Sequence, residues 1–286
     1  MGGRKPNRWG RLCAALLLLG GGGLRLNAQF SFPGARYNRG QDVSPTFDGW
    51  ERNPDGSFRF YFGYYNRNAE EEIDVPIGLE NRFDPGDADQ GQPTHFYTGR
   101  RWFVFSVVVP KDWPPDKRLI WSLTTKSRTN LSKGWLQPEW EVDKLLISKN
   151  AISDPFLRTS NSNPTPDNQA PVVTGSPAQT ITLPGAAILT ATATDDGLPK
   201  PGPGDRGGRV QGLQIRWILY RGPAAVGFDP EVSPAVYGRP LTSETKVSFN
   251  APGDYRIRAI ATDGAMFSIF DVDVKVNAGS VAQNSR

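Results

Sequence analysis

The chain has very little cysteine or histidine: Cys13 and His95 are single occurrences among 286 residues. Cys13 lies in an N-terminal segment that we expect to be removed. The mature chain then has no thiol for a disulfide, a thiolate metal site or a cysteine nucleophile. A zinc site needs a second histidine or cysteine, and no G-x-S-x-G segment supplies a serine nucleophile for a triad with His95. We therefore interpret His95 as a residue at the end of a loop without a catalytic role.

Residues 1–28 have the features of a secretory signal peptide. Basic residues precede the apolar, Gly-rich segment 13–24, and Gln29 follows a small residue that suits cleavage. The apolar segment is short for a membrane span, so we expect no span after cleavage, with an uncleaved N-terminal anchor as the alternative. Export without disulfides is typical of bacteria. We expect a periplasmic, outer-surface or extracellular location.

The charge of the chain depends on this N-terminal segment. The whole chain has 33 Lys and Arg against 29 Asp and Glu, and an isoelectric point near 9.2. Removal of residues 1–28 takes away five basic residues and no acidic one, which leaves 28 against 29 and a net charge near −1. Such a chain has no field that attracts polyanions, and we expect no nucleic-acid partner.

The chain also lacks long helical patterns, since no segment longer than about ten residues has the apolar period of an α-helix. Alternating runs recur instead, broken by many of the 31 Gly and 25 Pro residues. We predict an all-β chain with two β-sandwich domains. The polar stretch TSNSNPTPDNQAPV places a linker between them. The predicted division is a signal peptide (1–28), an aromatic-rich β-sandwich (29–150), a linker (151–171), a second β-sandwich (172–277) and a flexible tail (278–286).

The region 172–277 contains about seven short alternating runs around a single tryptophan, Trp217, which is typical of an immunoglobulin-like sandwich. In the stretch APGDYRIRAIATDG, a Pro-Gly corner precedes Tyr255, whose hydroxyl we expect to anchor the corner. The closing pair Asp263-Gly264 then turns the chain into the last strand.

Several of these segments resemble the bacterial PKD-like and cadherin-like immunoglobulin-fold modules: NQAPVV, TATATDDGLP, APGDYRIRAIATDG and DVDVKV. The resemblance covers residues 169–277, and we recognise no family for residues 29–150. It implies an immunoglobulin-like fold. It leaves the function open, because such modules serve as spacers, adhesion units and glycan binders.

The region 29–150 is also built from alternating runs. Two of them place large apolar residues on one face: Phe58, Phe60, Phe62 and Tyr64 in the first, and Leu119, Trp121 and Leu123 in the second. The run 101–110 is almost entirely apolar, which predicts a strand covered on both faces. Together these runs predict a β-sandwich or jelly-roll-like domain.

Two groups of aspartates are candidate calcium ligands, because calcium binds several oxygen atoms on flexible loops. The first group lies in a single loop and consists of Asp84, Asp87 and Asp89. The second group lies at the ends of two predicted strands and consists of Asp195, Asp196 and Asp263. The spacing is neither that of an EF-hand nor that of a cadherin linker. The alternative is turn chemistry, since Asp-Gly pairs end hairpins. We predict no obligate cofactor, with calcium as the alternative.

Six aromatic residues of the N-terminal region fall on second faces of strands or in loops: Tyr61, Tyr65, Trp102, Trp113, Trp135 and Trp140. Aromatic rings fill cores, anchor protein interfaces or stack on sugars, and the pattern leaves all three roles open. A hydrolase would need a pair of carboxylates, for which residues 70–90 are the richest source, but no particular pair stands out.

We therefore predict an exported, non-catalytic accessory, adhesion or structural protein of a bacterial cell envelope. The N-terminal domain would bind an envelope or extracellular protein, and the immunoglobulin-like domain would act as a spacer. The first alternative is a carbohydrate-binding protein that uses the exposed aromatics. A carboxylate-dependent hydrolase is a more distant alternative.

Overall fold

The computed structural model describes residues 36–151, 153–157, 165–200 and 212–279, so the predicted signal peptide and most of the predicted tail lie outside it. Its regular elements are strands, apart from a 3-10 helix (Pro138–Trp140) and the helix α1 (Lys144–Ala151). In the described part of the chain, no helix is long and apolar enough to cross a membrane. The strands are β1 (Val43–Arg52), β2 (Phe58–Asn66), β3 (Ile73–Asp74), β4 (Asn81–Asp84), β5 (His95–Phe96), β6 (Gly99–Val109), β7 (Leu119–Thr125), β8 (Arg128–Gly134), β9 (Val172–Gly175), β10 (Gln179–Thr182), β11 (Ala186–Thr194), β12 (Gln214–Arg221), β13 (Val226–Asp229), β14 (Leu241–Phe249), β15 (Gly253–Thr262) and β16 (Phe267–Asn277).

The first sandwich is built from two three-stranded sheets, with strand orders β1–β2–β6 and β4–β7–β8. The residues predicted for the inner faces of β2 and β7 are all buried: Phe58, Phe60, Phe62, Tyr64, Leu119, Trp121 and Leu123. Their rings interlock, since Phe62 stacks on Phe105 with centroids 5.6 Å apart and meets Trp121 edge-on. Large buried rings supply most of the hydrophobic stabilisation of such a core.

The strand β6 differs from its prediction. Its apolar sequence predicted cover on both faces, but in its second half only one face is buried, and Val108 is 58% exposed. The prediction was wrong because Ser106 and Val108 face outward and are exposed. The second sandwich contacts the strand near its middle. There the carbonyl oxygen of Val104 accepts a hydrogen bond from Nη1 of Arg258 at 2.6 Å.

The second sandwich has the strand orders β13–β14–β11–β9 and β10–β16–β15–β12. Its N-terminal strand is divided between the two sheets, because β9 pairs antiparallel with β11 whereas β10 pairs parallel with β16. Trp217 is fully buried between the sheets. This arrangement is that of an immunoglobulin-like sandwich. The predicted fold class is confirmed: the chain is all-β, with two sandwiches of which the C-terminal one is immunoglobulin-like.

The corner at the start of β15 also has the predicted structure. The Tyr255 hydroxyl donates to the carbonyl oxygen of Ala251 at 2.8 Å. At the other end of β15, Oδ1 of Asp263 accepts the backbone amides of Ala265 and Met266, both at 2.6 Å. Both ends of this strand are therefore held by a side chain that bonds to nearby backbone.

The two sandwiches meet along β12 and the segment 153–157. Tyr220 of β12 is buried in the aromatic core of the first sandwich, and its carbonyl oxygen accepts the amide of Thr94 at 3.2 Å. Asp154 is also buried, and its Oδ1 accepts a bond from Nη1 of Arg101 at 2.7 Å. Part of the predicted linker thus packs at the junction, while the predicted domain boundaries themselves stay a prediction.

Candidate binding cleft at the junction of the sandwiches

A β-bulge in β6 is the origin of the candidate site. The pairing of β2 with β6 changes register between Phe62 and Tyr64, and Phe103 in the bulge has a φ of 51°, which non-glycine residues rarely adopt. Gly63 permits this close approach, because a Cβ there would lie 2.2 Å from the carbonyl oxygen of Arg101. The isolated glycine within the aromatic run of β2 was the sequence signal for the bulge.

The buried carboxylate of Asp48 holds the bulge in place. Its Oδ2 accepts the backbone amide of Phe103 at 2.8 Å, and its Oδ1 accepts Nη2 of Arg100. Burial raises the pKa of Asp48, and the nearby charge of Arg100 offsets only part of that rise. A left-handed non-glycine residue costs about 1–3 kcal/mol and persists where its surroundings impose it, commonly at binding sites. The left-handed conformation of Phe103 therefore makes the space beside its ring a candidate binding site.

That space is a cleft of about 430 Å³ on the outer face of the sheet β1–β2–β6, which we name the junction cleft. Phe103 meets Tyr61 edge-on there, with ring centroids 5.6 Å apart. Helix α1 and the beginning of β16 supply the other sides. Its apolar walls include Phe103, Ile147, Met266, Phe267 and Ile269.

Polar side chains also line the junction cleft, among them Glu51, Arg59, Tyr61 and Lys144. The Tyr61 hydroxyl donates to Oε1 of Glu51 at 2.7 Å, and Nη1 of Arg59 lies 3.7 Å from the same oxygen. Burial raises the pKa of Tyr61, as do its bond to Glu51 and the charge of that carboxylate, so the hydroxyl stays protonated. Nε of Arg59 is buried and has no partner among the described residues. A mainly apolar cleft with a few convergent polar groups is the usual form of a binding site.

The six predicted surface aromatics are distributed over the first sandwich. Among the described contacts, no two of the six are in ring contact with each other. Tyr61 lines the junction cleft, and Tyr65, on the same strand, is 44% exposed. Trp140 stacks on Phe47 of the core, with centroids 5.6 Å apart.

The other three tryptophans each have a cation over one ring face. The pairs are Arg100 over Trp102 at 3.7 Å, Lys117 over Trp113 at 4.1 Å and Arg118 over Trp135 at 5.3 Å. Such cation–π contacts stabilise these half-buried rings and occupy the face that another planar group would use. A binding role for the six aromatics stays a prediction, and only Tyr61 of the six lies in the junction cleft.

The loop that contains Asp84, Asp87 and Asp89 is exposed. Within the described residues, no group of three or more His, Cys, Asp or Glu side chains is placed to hold a metal. Asp89 instead pairs with Arg221 of the second sandwich at N–O distances of 2.6 and 2.9 Å, and the bonds from Arg221 lower the pKa of Asp89. The loop thus supplies an ion pair to the junction, and calcium binding by it stays a prediction.

The second aspartate group lies at one end of the immunoglobulin-like sandwich. Burial, together with the charge of Asp195, raises the pKa of Asp263 to about 6. Oδ2 of Asp263 accepts Nδ2 of Asn168 at 3.0 Å, while Asp196 is exposed and accepts the amide of Gln169. Oδ1 of Asn168 and Oδ1 of Asp195 are buried without a partner among the described residues. Two carboxylates and an amide with unpaired oxygens form an environment that a hard cation satisfies.

His95 is the first residue of β5, directly after the loop 85–94, and its side chain is buried. Its Nδ1 lies 2.7 Å from Oδ1 of Asp74, and its Nε2 lies 3.1 Å from Oε2 of Glu72. Burial lowers the pKa of His95, but the bonds to the two carboxylates and their charges outweigh it and raise the pKa to about 9. His95 is therefore an imidazolium held between two carboxylates at neutral pH.

No protein-family model matches the chain, and no curated protein matches it. Among solved structures, it is similar to the PKD domain of human KIAA0319, at 16% identity and a TM-score of 0.22, over 47% of this chain and 96% of that one. It is also similar to fibronectin(III)-like modules of Clostridium thermocellum CbhA, at 12% identity and a TM-score of 0.23, over 86% of this chain and 99% of that one. A third similar structure is that of domains 4 and 5 of the S-layer protein SbsC, at 11% identity and a TM-score of 0.25, over 83% of this chain and 98% of that one. At these scores, the fold assignment rests on the strand order of the chain itself.

Proposed function

We propose that this chain is exported and acts in or outside a bacterial cell envelope as a non-catalytic binding protein. The first sandwich binds a protein partner, and the immunoglobulin-like sandwich, of the PKD-like type, acts as a spacer. The observation that carries the proposal is the junction cleft, where the strained Phe103, apolar walls and the unpaired Nε of Arg59 share one space. Contacts such as the Asp89–Arg221 pair keep the spacer and the binding domain in one orientation.

A protein partner suits this surface better than a glycan. Sugar rings need free aromatic faces, and cations already lie over one face of Trp102, Trp113 and Trp135. The junction cleft has mainly apolar walls, as do the pockets that take an anchoring side chain of a protein partner. Carbohydrate binding through exposed aromatics is the alternative.

The state of the acidic side chains supports a non-catalytic role. Several carboxylates from residues 70–90 are engaged in ion pairs. The pairs are Glu71 with Lys126, Glu72 and Asp74 with His95, and Asp89 with Arg221. A hydrolase needs a carboxylate that is free to transfer a proton or to attack the substrate.

Co-purification from native envelope extracts tests the protein-binding proposal. The variant Ile269→Asp puts a charge on the apolar wall of the cleft, at a side chain that is 42% exposed. Its matched control is Ile188→Asp, which is 48% exposed on β11. We expect the wild type and Ile188→Asp to retain a stoichiometric partner that Ile269→Asp loses. Absence of a partner from all three would refute the proposal. A glycan bound on an array by the wild type, but not by Tyr61→Ala, would favour the carbohydrate alternative.

We also propose that Asp195, Asp263 and Asn168 bind calcium. The unpaired buried oxygens of Asn168 and Asp195, beside the carboxylate of Asp263, support this second proposal. A ligand that binds only the folded state at a hundred times its Kd adds about 2.7 kcal/mol of stability. We expect calcium to raise the melting temperature of the wild type and of the control Asp87→Asn, but not that of Asp195→Asn. Equal shifts in both variants would contradict this site.

A further inference from the structure

The two halves of β6 differ in how their free edge is covered. β6 is an edge strand of the sheet β1–β2–β6. In its first half, the amide of Trp102 donates to Oδ2 of Asp154 at 3.2 Å, and the carbonyl oxygen of Val104 accepts Nη1 of Arg258 at 2.6 Å. Side chains from neighbouring elements therefore bond to backbone groups of this half.

In the part of the chain that the structure describes, no side chain bonds to the backbone of the second half, residues 105–109, in this way. Among the described residues, its backbone hydrogen bonds are those of the pairing with β2. The sequence FSVVV contains no charge and no proline, and the outward side chains Ser106 and Val108 are exposed. Natural edge strands are usually protected by lysine, proline or a bulge, because an apolar edge recruits another strand. The bulge of β6 lies at Phe103, before this segment, and leaves it open.

The junction cleft begins beside this open edge. Phe105 and Ser106 line the cleft together with Tyr61 and Ile269. A peptide that pairs with a strand edge gains affinity from backbone hydrogen bonds, and its alternate side chains enter pockets that give specificity. A cleft of about 430 Å³ has room for a large apolar side chain.

We propose that an extended segment of a partner protein adds to residues 105–109 of β6 as a further strand. One of its aromatic or aliphatic side chains fills the junction cleft, and a carbonyl or carboxylate oxygen accepts from the guanidinium of Arg59, whose side chain is 42% exposed. This inference rests on the proposed protein-binding function and names its mode of recognition. The unpaired donors and acceptors of a strand edge repeat at the spacing of another polypeptide, which a glycan does not match.

A second copy of this chain fits the edge less well. Two antiparallel β6 strands would place only the small side chains Ser106 and Val108 of each copy on the outer face. Neither is large enough to fill a cleft of this volume. A partner strand that carries a large apolar side chain can both pair with the edge of β6 and fill the junction cleft.

The test is a selection from a phage-displayed library of random ten-residue peptides on the full chain, followed by affinity measurement on variants. Val108→Lys places the natural edge-blocking residue on the open half, and Ser106→Lys is a second variant in case one fails to fold. Val172→Lys is the matched control, because Val172 is 66% exposed on the edge strand β9. We expect the selected peptides to contain alternating apolar residues. Their affinity should fall about tenfold or more for either β6 variant and should stay the same for the control.

Hydrogen exchange adds an independent readout, since a bound strand should slow amide exchange within 105–109 but not in β9. Three results would overturn the proposal: no enriched peptides, peptides that bind both β6 variants as well as the control, or a dimer that Val108→Lys dissociates. A native envelope partner that binds Val108→Lys normally would refute the added strand and leave the proposed function intact. Absence of any envelope partner would refute the function itself.

Discussion

Raising the pH from 6.5 to 9.5 should destabilise this protein through the deprotonation of His95. In the folded state its pKa is about 9, against an ordinary value of 6.5, because Asp74 and Glu72 hold the imidazolium. Between these two values, the folded state binds more protons than the unfolded state, so the free energy of unfolding falls as the pH rises. The contribution is complete below pH 6.5 and is lost as the pH passes 9.

The size of the effect follows from the pKa difference. A shift from 6.5 to about 9 corresponds to about 3 kcal/mol at 1.36 kcal/mol per pKa unit. His95 is only 4% exposed, but the side chains of Asp74 and Glu72 are 43% and 45% exposed, and water screens their charges. We therefore expect a loss of about 1–3 kcal/mol over this range.

Urea unfolding at several pH values measures this loss directly. The assay is clean because the chain after residue 28 contains no cysteine and no second histidine, so few other groups titrate in this window. His95→Gln is the control, since its neutral amide should remove the pH dependence. A free energy of unfolding that changes by less than about 0.5 kcal/mol, or an equal slope in His95→Gln, would refute the reasoning.

Two further predictions concern buried hydrogen bonds. Asp154→Ala should lower the free energy of unfolding by about 3–5 kcal/mol in denaturant titrations, because it leaves the buried guanidinium of Arg101 without its carboxylate. The exposed Asp87→Ala is the control, and an equal effect of both variants would show that the buried pair contributes nothing. Tyr255→Phe should cost about 1 kcal/mol in thermal unfolding, because it removes the corner hydrogen bond. Tyr237→Phe, at an exposed tyrosine, should cost less, and the reverse order would contradict the role of the corner.

The strand pattern could be predicted from the sequence because alternation is a local property. In a strand, residues two positions apart lie on the same face. Apolar residues at every second position therefore mark the buried face, and the inner faces of β2 and β7 were identified correctly. The same logic failed for β6, since an apolar run does not say whether another domain covers its second face. The second sandwich contacts β6 near Val104, whereas Val108 is exposed.

The candidate site was only partly predictable. Tyr61 was selected as an exposed aromatic, and it lies in the junction cleft. Phe103 was missed because the bulge reverses the face to which it points. Glu51 and Arg59 were missed because the sequence does not show which polar residues of different strands line the same cleft. Gly63 gave a local sign of the bulge, but not of the side chain that it would redirect.

The scarcity of cysteine and histidine, read from the sequence alone, excluded disulfides and thiolate sites in the chain after residue 28, and its alternating runs determined an all-β fold with an immunoglobulin-like half. These conclusions depend on residue type and on spacings of a few positions. Only the tertiary structure decided that Asp89 pairs with Arg221, 132 positions away, and that His95 lies between two carboxylates. It also decided that β6 has an open edge beside a cleft. Such contacts depend on how sheets stack and where strands shift register, and short-range patterning does not encode either.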